Sequence, residues 1–202
     1  KNDPKATGWT ADSTKRHDDK KKRQGFKWDA IRFSHKVYSI FDCVRHCDAD
    51  VLFWMDADMV CHSPIGLDFI SRMAPISVDL GYLGRKDKYT ECGLYSLNLK
   101  SKGTHEFLKE FQRVYDDAEN GIFTMREWHD SFVFDEVRNR FPNLKGFNWS
   151  HGLITGEGHP LVNCDWGAYL DHLKGEDRKK LGKSQTRDFK IRRNEPYWGR
   201  TH

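Results

Sequence analysis

The sequence predicts an α/β fold in which a mixed sheet is flanked by helices. The continuous apolar run Val51–Met55 is typical of a strand buried on both faces, as strands are inside parallel or mixed sheets. Apolar residues with helical spacing precede this run and recur after residue 104, which predicts helices before and after it. Because further predicted strands alternate with helices and no internal repeat is present, a sheet covered by helices is the favoured architecture.

Capping signals and apolar periodicity place the individual elements. Ser63 and Pro64 form a helix-start signal, and Thr104 is a second candidate cap. The segment after Phe141 is rich in Gly, Asn and His, as site-forming loops often are. In chain order the prediction is a helix over 28–44, the strand Val51–Met55, a helix from Pro64 to Met73, strands over 76–83 and 94–99, a helix from Thr104, a helix over 127–140 and a short helix over 166–174.

Length and composition indicate a soluble chain with a sizeable core. The chain has 202 residues, of which 37% are hydrophobic and 32% charged. No apolar stretch reaches the roughly eighteen residues that a membrane-spanning helix needs, and the polar start lacks a signal core. Five cysteines occur without a CxxC pair, and Cys43 and Cys47 lie one helical turn apart. Buried, reduced thiols in a cytoplasmic protein are the favoured interpretation, with a zinc pair beside His46 as the alternative.

Charge is concentrated near the two ends of the chain. The net charge is +4, and the basic runs cover residues 15–23 and 178–193. Such runs are usually solvated or disordered, although they can also attract phosphates or an anionic surface. The predicted organisation is a charged flexible arm over 1–26, a single domain over 27–182 and a basic C-terminal tail over 183–202.

The first chemical signal is the pair Asp56 and Asp58, which follows the strand Val51–Met55 directly. Ligands of open α/β sheets bind beyond the carboxyl ends of strands. Two carboxylates separated by one residue can approach one hard cation, Mn²⁺ or Mg²⁺, whose coordination is completed by phosphate oxygens. Such an ion neutralises charge on a departing diphosphate. Solvated turn aspartates are the alternative.

The second signal lies more than a hundred residues downstream, at His172, Gly175, Arg178 and Lys179. A neutral imidazole is a good partner for a carboxylate-bound Mn²⁺ ion. A glycine three residues later lets backbone N–H groups approach phosphate, and the following cation can pair with it. A helix end with a glycine cap and solvated charges is the equally simple alternative.

These motifs carry a resemblance to known enzymes. The strand ending in Asp56-Ala57-Asp58 resembles the D-x-D segment of GT-A-type glycosyltransferases. His172, Gly175 and the cation at 178 or 179 resemble the H-x-x-G-x-x-K element of glycosyltransferase family 8. Residues 89–98 are similar to the strand that holds donor sugar and acceptor, and residues 127–134 to the segment that brings an acidic residue beneath the donor sugar. The overall impression is closest to glycosyltransferases encoded by bacteria and their viruses.

The resemblance implies a GT-A-like fold and a metal-dependent, retaining hexosyl transfer. The donor would be a nucleotide-diphosphate sugar, and the acceptor a glycan, a lipid-linked molecule or a protein. Asp56, Asp58 and His172 would coordinate Mn²⁺ or Mg²⁺. The residues implied at the donor are Ala57, Gly175, Lys179 and either Arg32 or Lys36.

The sequence departs from the family pattern in two places. The Pro-Trp that usually completes the family 8 element is absent after Arg178 and Lys179. Only 55 residues precede Asp56, so the comparison with the family predicts an N-terminal nucleoside-binding unit that is shortened or built differently.

Several assignments stay open on the sequence alone. Asp130 and Glu91 are the candidate catalytic carboxylates; a helix-start role is the alternative for Asp130, and a buried structural role for Glu91. His151 or His159 could replace His172 as the metal ligand. A metal-dependent nucleotidyltransferase or nuclease, a non-catalytic nucleic-acid-binding protein and a degenerate transferase module are the rival functions. The modest net charge argues against specific nucleic-acid binding.

Overall fold

The computed structural model describes residues 25–150 and 158–199, and the chain forms two compact units. The first unit joins the chain up to Ala49 with Lys102–Leu144, and the second joins Asp50–Ser101 with the chain from Lys145 onward. The helices are α1 Ala30–His46, α2 Leu67–Met73, α3 Lys102–Asp116, α4 Asp130–Arg138, α5 Glu176–Leu181 and α6 Pro196–Gly199. The strands are β1 Val51–Met55, β2 Met59–Cys61, β3 Leu80–Arg85, β4 Lys88–Asn98, β5 Gly146–Asn148 and β6 Leu170–His172.

The first unit is helical, with α1, α3 and α4 around an aromatic core. Phe41 of α1 meets Phe111 of α3 edge to face, with ring centroids 5.8 Å apart. Phe111 and Phe107 both contact Phe134 of α4. The helical periodicity of the sequence therefore identified these buried faces correctly, because one apolar residue per turn lines one side of each helix.

The second unit contains the sheet, whose strand order is β1-β4-β3-β5. β4 pairs antiparallel with β1 and β3, and β3 pairs parallel with β5, so the predicted mixed α/β architecture is confirmed. A separate ribbon pairs β2 with β6 antiparallel, with Met59 opposite His172. This register places the start of β2 beside the end of β6.

The core of the second unit lies between the sheet and α2. Trp166 is fully buried and meets Phe69 of α2 edge to face, with ring centroids 5.0 Å apart. Trp149 packs over Gly81, and its indole N–H donates to the Met73 carbonyl at 2.7 Å. The Trp149 contacts hold β3, the end of α2 and the chain after β5 together.

Several sequence-based element predictions need correction. β1 is not buried on both faces: it lies at the edge of the four-stranded sheet, its first four residues are half-buried and Met55 is 48% exposed. An apolar run does not reveal how many strands will pair with it. Residues 166–174 form no single helix, because a 3₁₀ turn, Asp165–Ala168, leads into the strand β6. The hydrogen bonds to β2 come from a distant segment and override the local helical preference.

The remaining differences concern where elements begin. α2 begins at Leu67 after Gly66, later than Ser63 and Pro64 predicted. α3 begins before Thr104, which is buried inside it. Two strands and one helix also differ in extent from the predictions: β3 and β4 replace 76–83 and 94–99, and α4 replaces 127–140. Element ends depend on hydrogen bonds with neighbouring segments, which local patterns do not specify.

The predicted burial of the cysteine pair at the end of α1 is wrong. Cys43 is exposed and Cys47 is half-buried, whereas Cys92 and Cys164 are buried, and all five cysteines are free thiols. One helical turn separates the pair, but its face of α1 is not the apolar one. Among the described residues, no helix is long and apolar enough to cross a membrane.

The C-terminal segment is anchored to β6 through Asp171, which is fully buried. The Asp171 carboxylate accepts hydrogen bonds from the Ser184 amide and hydroxyl at 2.8 and 2.5 Å and from the Tyr197 hydroxyl at 3.0 Å. Arg178 makes a two-fold ion pair with Asp188 in the same segment. Residues 183–199 are thus tied to the strand that carries His172. The predicted arm, residues 1–26, lies almost wholly outside the described residues.

Candidate metal centre

The Asp56–Asp58 turn joins β1 to β2, and its backbone is held from both sides. The Asp56 amide donates to the Gly93 carbonyl of β4 at 2.8 Å, and the Met59 amide donates to the Asp56 carbonyl at 3.1 Å. The Leu173 amide donates to the Asp58 carbonyl at 2.9 Å. Hydrogen bonds to β4 and to the chain after β6 therefore set the position of both carboxylates.

His172 meets this turn although it lies 114 residues further along the chain. Its Nε2 is 3.0 Å from Oδ1 of Asp58, and its side chain is buried. One ligand atom from each of Asp56, Asp58 and His172 lies within 4.8 Å of the others. The pairing of β2 with β6 produces this convergence, because it brings Met59 opposite His172.

The three side chains have the chemistry of a divalent-cation site. Burial opposes the ionisation of Asp58, but His172 and Lys179 outweigh burial and lower the pKa of its carboxyl. An ionised carboxylate pair with one imidazole suits Mn²⁺ or Mg²⁺, which prefer oxygen ligands. Both aspartates are half-buried, so the group remains open to an incoming ligand.

Lys179 and Arg178 have different surroundings. Lys179 Nζ lies 3.3 Å from Oδ2 of Asp58, and the lysine side chain is half-exposed. Arg178 is occupied by Asp188 and by the Lys174 carbonyl, to which its Nη1 donates at 2.7 Å. Of the two cations that the sequence offered as a phosphate contact, Lys179 is the one placed beside the carboxylates.

Glu91 is a buried, ionised carboxylate near His172, and its charge is balanced by Lys174 and Arg85. Lys174 Nζ donates to both of its oxygens at 2.8 and 2.9 Å, and Arg85 Nη1 lies 3.4 Å away. Burial would raise the pKa of Glu91, but the charge of Lys174, followed by the other nearby groups, lowers it well below the ordinary value. His172 Nδ1 is 3.9 Å from Glu91 Oε1.

His159 completes this buried group from the segment before the 3₁₀ turn Leu161–Asn163. Its ring meets that of His172 edge to face, with centroids 5.0 Å apart. Burial lowers the pKa of His159 to about 3, so the ring is neutral near neutral pH. Neither of its ring nitrogens has a hydrogen-bond partner in the described part of the chain.

The burial of His159 predicts a pH-dependent stability. Because its folded pKa of about 3 lies below the ordinary 6.5, the unfolded chain takes up a proton first as the pH falls. The stability contributed by the neutral ring is complete above pH 6.5 and is lost as the pH falls toward 3. We expect wild type to lose about 3 kcal/mol more free energy of unfolding than His159→Phe between about pH 7 and pH 4. Urea unfolding with a chelator present measures this difference.

Other acidic groups titrate in both proteins, so the comparison isolates His159. Replacement of the exposed His35 by phenylalanine is the control and should follow the wild-type curve. If the free energies of unfolding of wild type and His159→Phe changed equally with pH, His159 would not be held neutral by burial.

Two glycines shape the site. A Cβ atom on Gly93 would lie 2.6 Å from Cε1 and 3.0 Å from Nδ1 of His172, so the imidazole occupies the space that a side chain there would fill. Gly175 has φ 85°, in the left-handed region that glycine favours, and it precedes α5, which carries Lys179.

The remaining candidates from the sequence lie in the first unit. Lys36 Nζ pairs with Oδ2 of Asp130 at 2.7 Å, and both side chains are largely buried. Asp130 is the first residue of α4, and its other oxygen accepts from the Ser131 amide at 2.8 Å. Arg32 is exposed on α1. His151 lies outside the described residues.

No protein-family model, curated protein or solved structure matches this chain. The function is therefore inferred from the side chains and their geometry. The sequence assigned no roles to Lys174 or Arg85, which pair with Glu91, and did not single out Gly93 as the residue that makes room for the His172 ring. The charge of Lys174 within the H-x-x-G-x-x-K-like segment was the signal that could have suggested a buried partner.

Proposed function

We propose that this chain is a metal-dependent glycosyltransferase of the GT-A type, which moves a sugar from a nucleotide-diphosphate sugar to an acceptor. The observation that supports the proposal is the contact between Asp58 and His172, residues from the two motifs whose resemblance suggested the family. A chance occurrence of both motifs would not require them to meet. Their side chains, with Asp56, form the oxygen-rich group that a Mn²⁺ or Mg²⁺ ion takes.

Each residue then has a defined role. Asp56, Asp58 and His172 would hold the ion, which neutralises the charge that develops on the departing diphosphate. Lys179 is a half-exposed cation beside Asp58 and would pair with a phosphate oxygen of the donor. Ala57 is exposed between the two aspartates, and Gly175 keeps the backbone before α5 accessible to the diphosphate.

Glu91 is better suited to positioning than to proton transfer. A general base works best with a pKa near the working pH, whereas Lys174 and the neighbouring charges keep the pKa of Glu91 far below that range. A reaction with retention of configuration, which needs no such base under the sugar, agrees with this environment. The donor role of Arg32 or Lys36 and the catalytic role of Asp130 stay predictions from the sequence resemblance.

The nuclease or nucleotidyltransferase alternative is less well supported. Enzymes of those classes commonly use two metal ions about 3.5–4 Å apart, held by several carboxylates. Within the described residues, the second group with metal-ligating atoms contains one carboxylate, Glu91, and shares His172 with the first group.

A thermal-shift screen of nucleoside diphosphates and nucleotide sugars, with and without Mn²⁺, tests the proposal. We expect a shift of about 5 °C or more at saturating ligand, and only when metal and diphosphate are both present. Asp56→Asn is the matched variant and should lose the shift. Equal stabilisation without metal, or in Asp56→Asn, would contradict a site in which the ion links protein and diphosphate.

A further inference from the structure

The His172 ring presents its two nitrogens to two different groups of side chains. Nε2 faces Asp58 at 3.0 Å, whereas Nδ1 faces Glu91 at 3.9 Å. One ligand atom from each of Glu91, His159 and His172 lies within 4.8 Å of the others, and all three residues are buried. The proposed transferase chemistry uses Nε2 of His172 and assigns no role to Nδ1 of His172 or to His159.

Hydrogen bonding decides which nitrogen of His172 carries the proton in the metal-free chain. An ionised carboxylate only accepts hydrogen bonds, so a neutral His172 carries its proton on Nε2 and donates it to Asp58. Nδ1 is then a buried lone pair, and it has no hydrogen-bond partner among the described residues. A carboxylate that orients an imidazole from its far nitrogen is the usual support of a metal-ligating histidine.

His159 supplies a second nitrogen of the same kind. Both of its ring nitrogens are buried and lack a hydrogen-bond partner in the described ranges, 25–150 and 158–199. Buried polar atoms are normally paired, and an unpaired one calls for a ligand or a functional explanation. The edge-to-face contact between the two rings places this nitrogen-bearing ring next to His172.

Glu91 supplies the negative charge, and its present partner is exchangeable. Lys174 binds both carboxylate oxygens, yet its own side chain is 52% exposed. The ammonium group can therefore rotate into solvent when another cation takes its place on Glu91. Arg85 stays 3.4 Å from the carboxylate and continues to orient it.

We propose that Glu91, His159 and His172 form a second metal site, of the class that binds zinc. Two imidazoles and one carboxylate are the ligand set of three-ligand zinc sites, whereas Mg²⁺ and Mn²⁺ favour oxygen. A neutral imidazole has one lone pair, so His172 serves one ion at a time. Zinc at this site and Mn²⁺ at Asp56 and Asp58 therefore exclude each other. The site does not depend on the transferase proposal, because metal binding itself is the readout.

The test measures Zn²⁺ binding by calorimetry, and Co²⁺ binding by its visible absorption, in the full chain. A Cys43→Ser/Cys47→Ser/Cys61→Ser background removes the exposed and half-buried thiols, which bind soft metals on their own. In that background we expect each chain to bind one Zn²⁺ ion. We expect His159→Phe to weaken Zn²⁺ binding at least about tenfold while Mn²⁺ binding persists. His159→Phe keeps the ring contact with His172 and removes both nitrogens, and His159→Gln is the smaller second variant.

Asp56→Asn is the reciprocal variant, which should weaken Mn²⁺ binding and leave Zn²⁺ binding in place. Undiminished zinc affinity in both His159 variants would overturn the site. Zinc binding that is lost in Asp56→Asn and kept in His159→Phe would assign zinc to the aspartate pair. If saturating zinc left the Mn²⁺ affinity unchanged, as followed by electron paramagnetic resonance, the two sites would not share one imidazole.

Discussion

Asp58→Asn is expected to lower Mn²⁺-dependent hydrolysis or transfer of a nucleotide sugar at least about a hundredfold in kcat/KM. An ion contributes several kcal/mol of stabilisation to developing charge, and each 1.36 kcal/mol is about a factor of ten. Asparagine keeps the shape of the side chain and can still accept the His172 hydrogen bond, so the fold should remain intact. Steady-state kinetics across a series of Mn²⁺ concentrations measures the loss in kcat/KM. Circular dichroism of the same samples tests whether the fold is intact.

Asp50→Asn is the matched control for this variant. Asp50 immediately precedes β1, is 70% exposed and pairs with Lys100, which is 54% exposed, so its replacement removes the same charge away from the turn. Wild-type turnover is expected in Asp50→Asn. Wild-type turnover in Asp58→Asn as well would remove the carboxylate pair from the mechanism and, with it, the proposed function.

Gly93→Ala is expected to destabilise the chain by about 1–3 kcal/mol and to abolish tight Mn²⁺ binding. The new methyl group would lie 2.6 Å from the His172 ring and 3.0 Å from the end of the Met59 side chain, which is closer than carbon atoms pack. His172 is buried and hydrogen-bonded to Asp58, so it can move only by breaking that contact. Urea unfolding and titration of Mn²⁺ by electron paramagnetic resonance measure the two effects.

Gly66→Ala provides the comparison for Gly93→Ala. Gly66 has φ −79°, which any residue adopts, and a Cβ atom there would meet no atom within 4 Å. We expect a change in unfolding free energy below about 1 kcal/mol and an unchanged Mn²⁺ affinity. Retention of Mn²⁺ affinity in Gly93→Ala would mean that the position of His172 does not matter to the ion.

The sequence was a good guide to elements whose signal is local. The apolar stripe of α1, with Val37, Ile40 and Phe41, is buried as its spacing predicted. The strand before Asp56 was located to the residue, because five apolar side chains end abruptly at a carboxylate. The same run misled about burial, since hydrophobicity reports the preference of a side chain and not the number of neighbouring strands.

Other features of the site had no local signal. The segment 166–174 has the composition of a helix but contains β6, because its hydrogen-bonding partners lie in β2. The lysine and arginine that neutralise Glu91 come from the chain beyond β6 and from the end of β3. A charge pair between distant segments leaves no periodicity in the sequence, so its partners stay unassigned until the chain is folded.

The sequence by itself determined the mixed α/β composition, the pair Asp56 and Asp58 at the end of a strand, and the candidacy of His172. These are properties of side chains and of their spacing along a few turns. Only the tertiary structure decided that His172 Nε2 lies 3.0 Å from Asp58, that Lys179 and not Arg178 is beside it, and that His159 is buried against the same imidazole. Such contacts depend on which strands pair and in what register, and long-range pairing is selected by the packing of the whole unit.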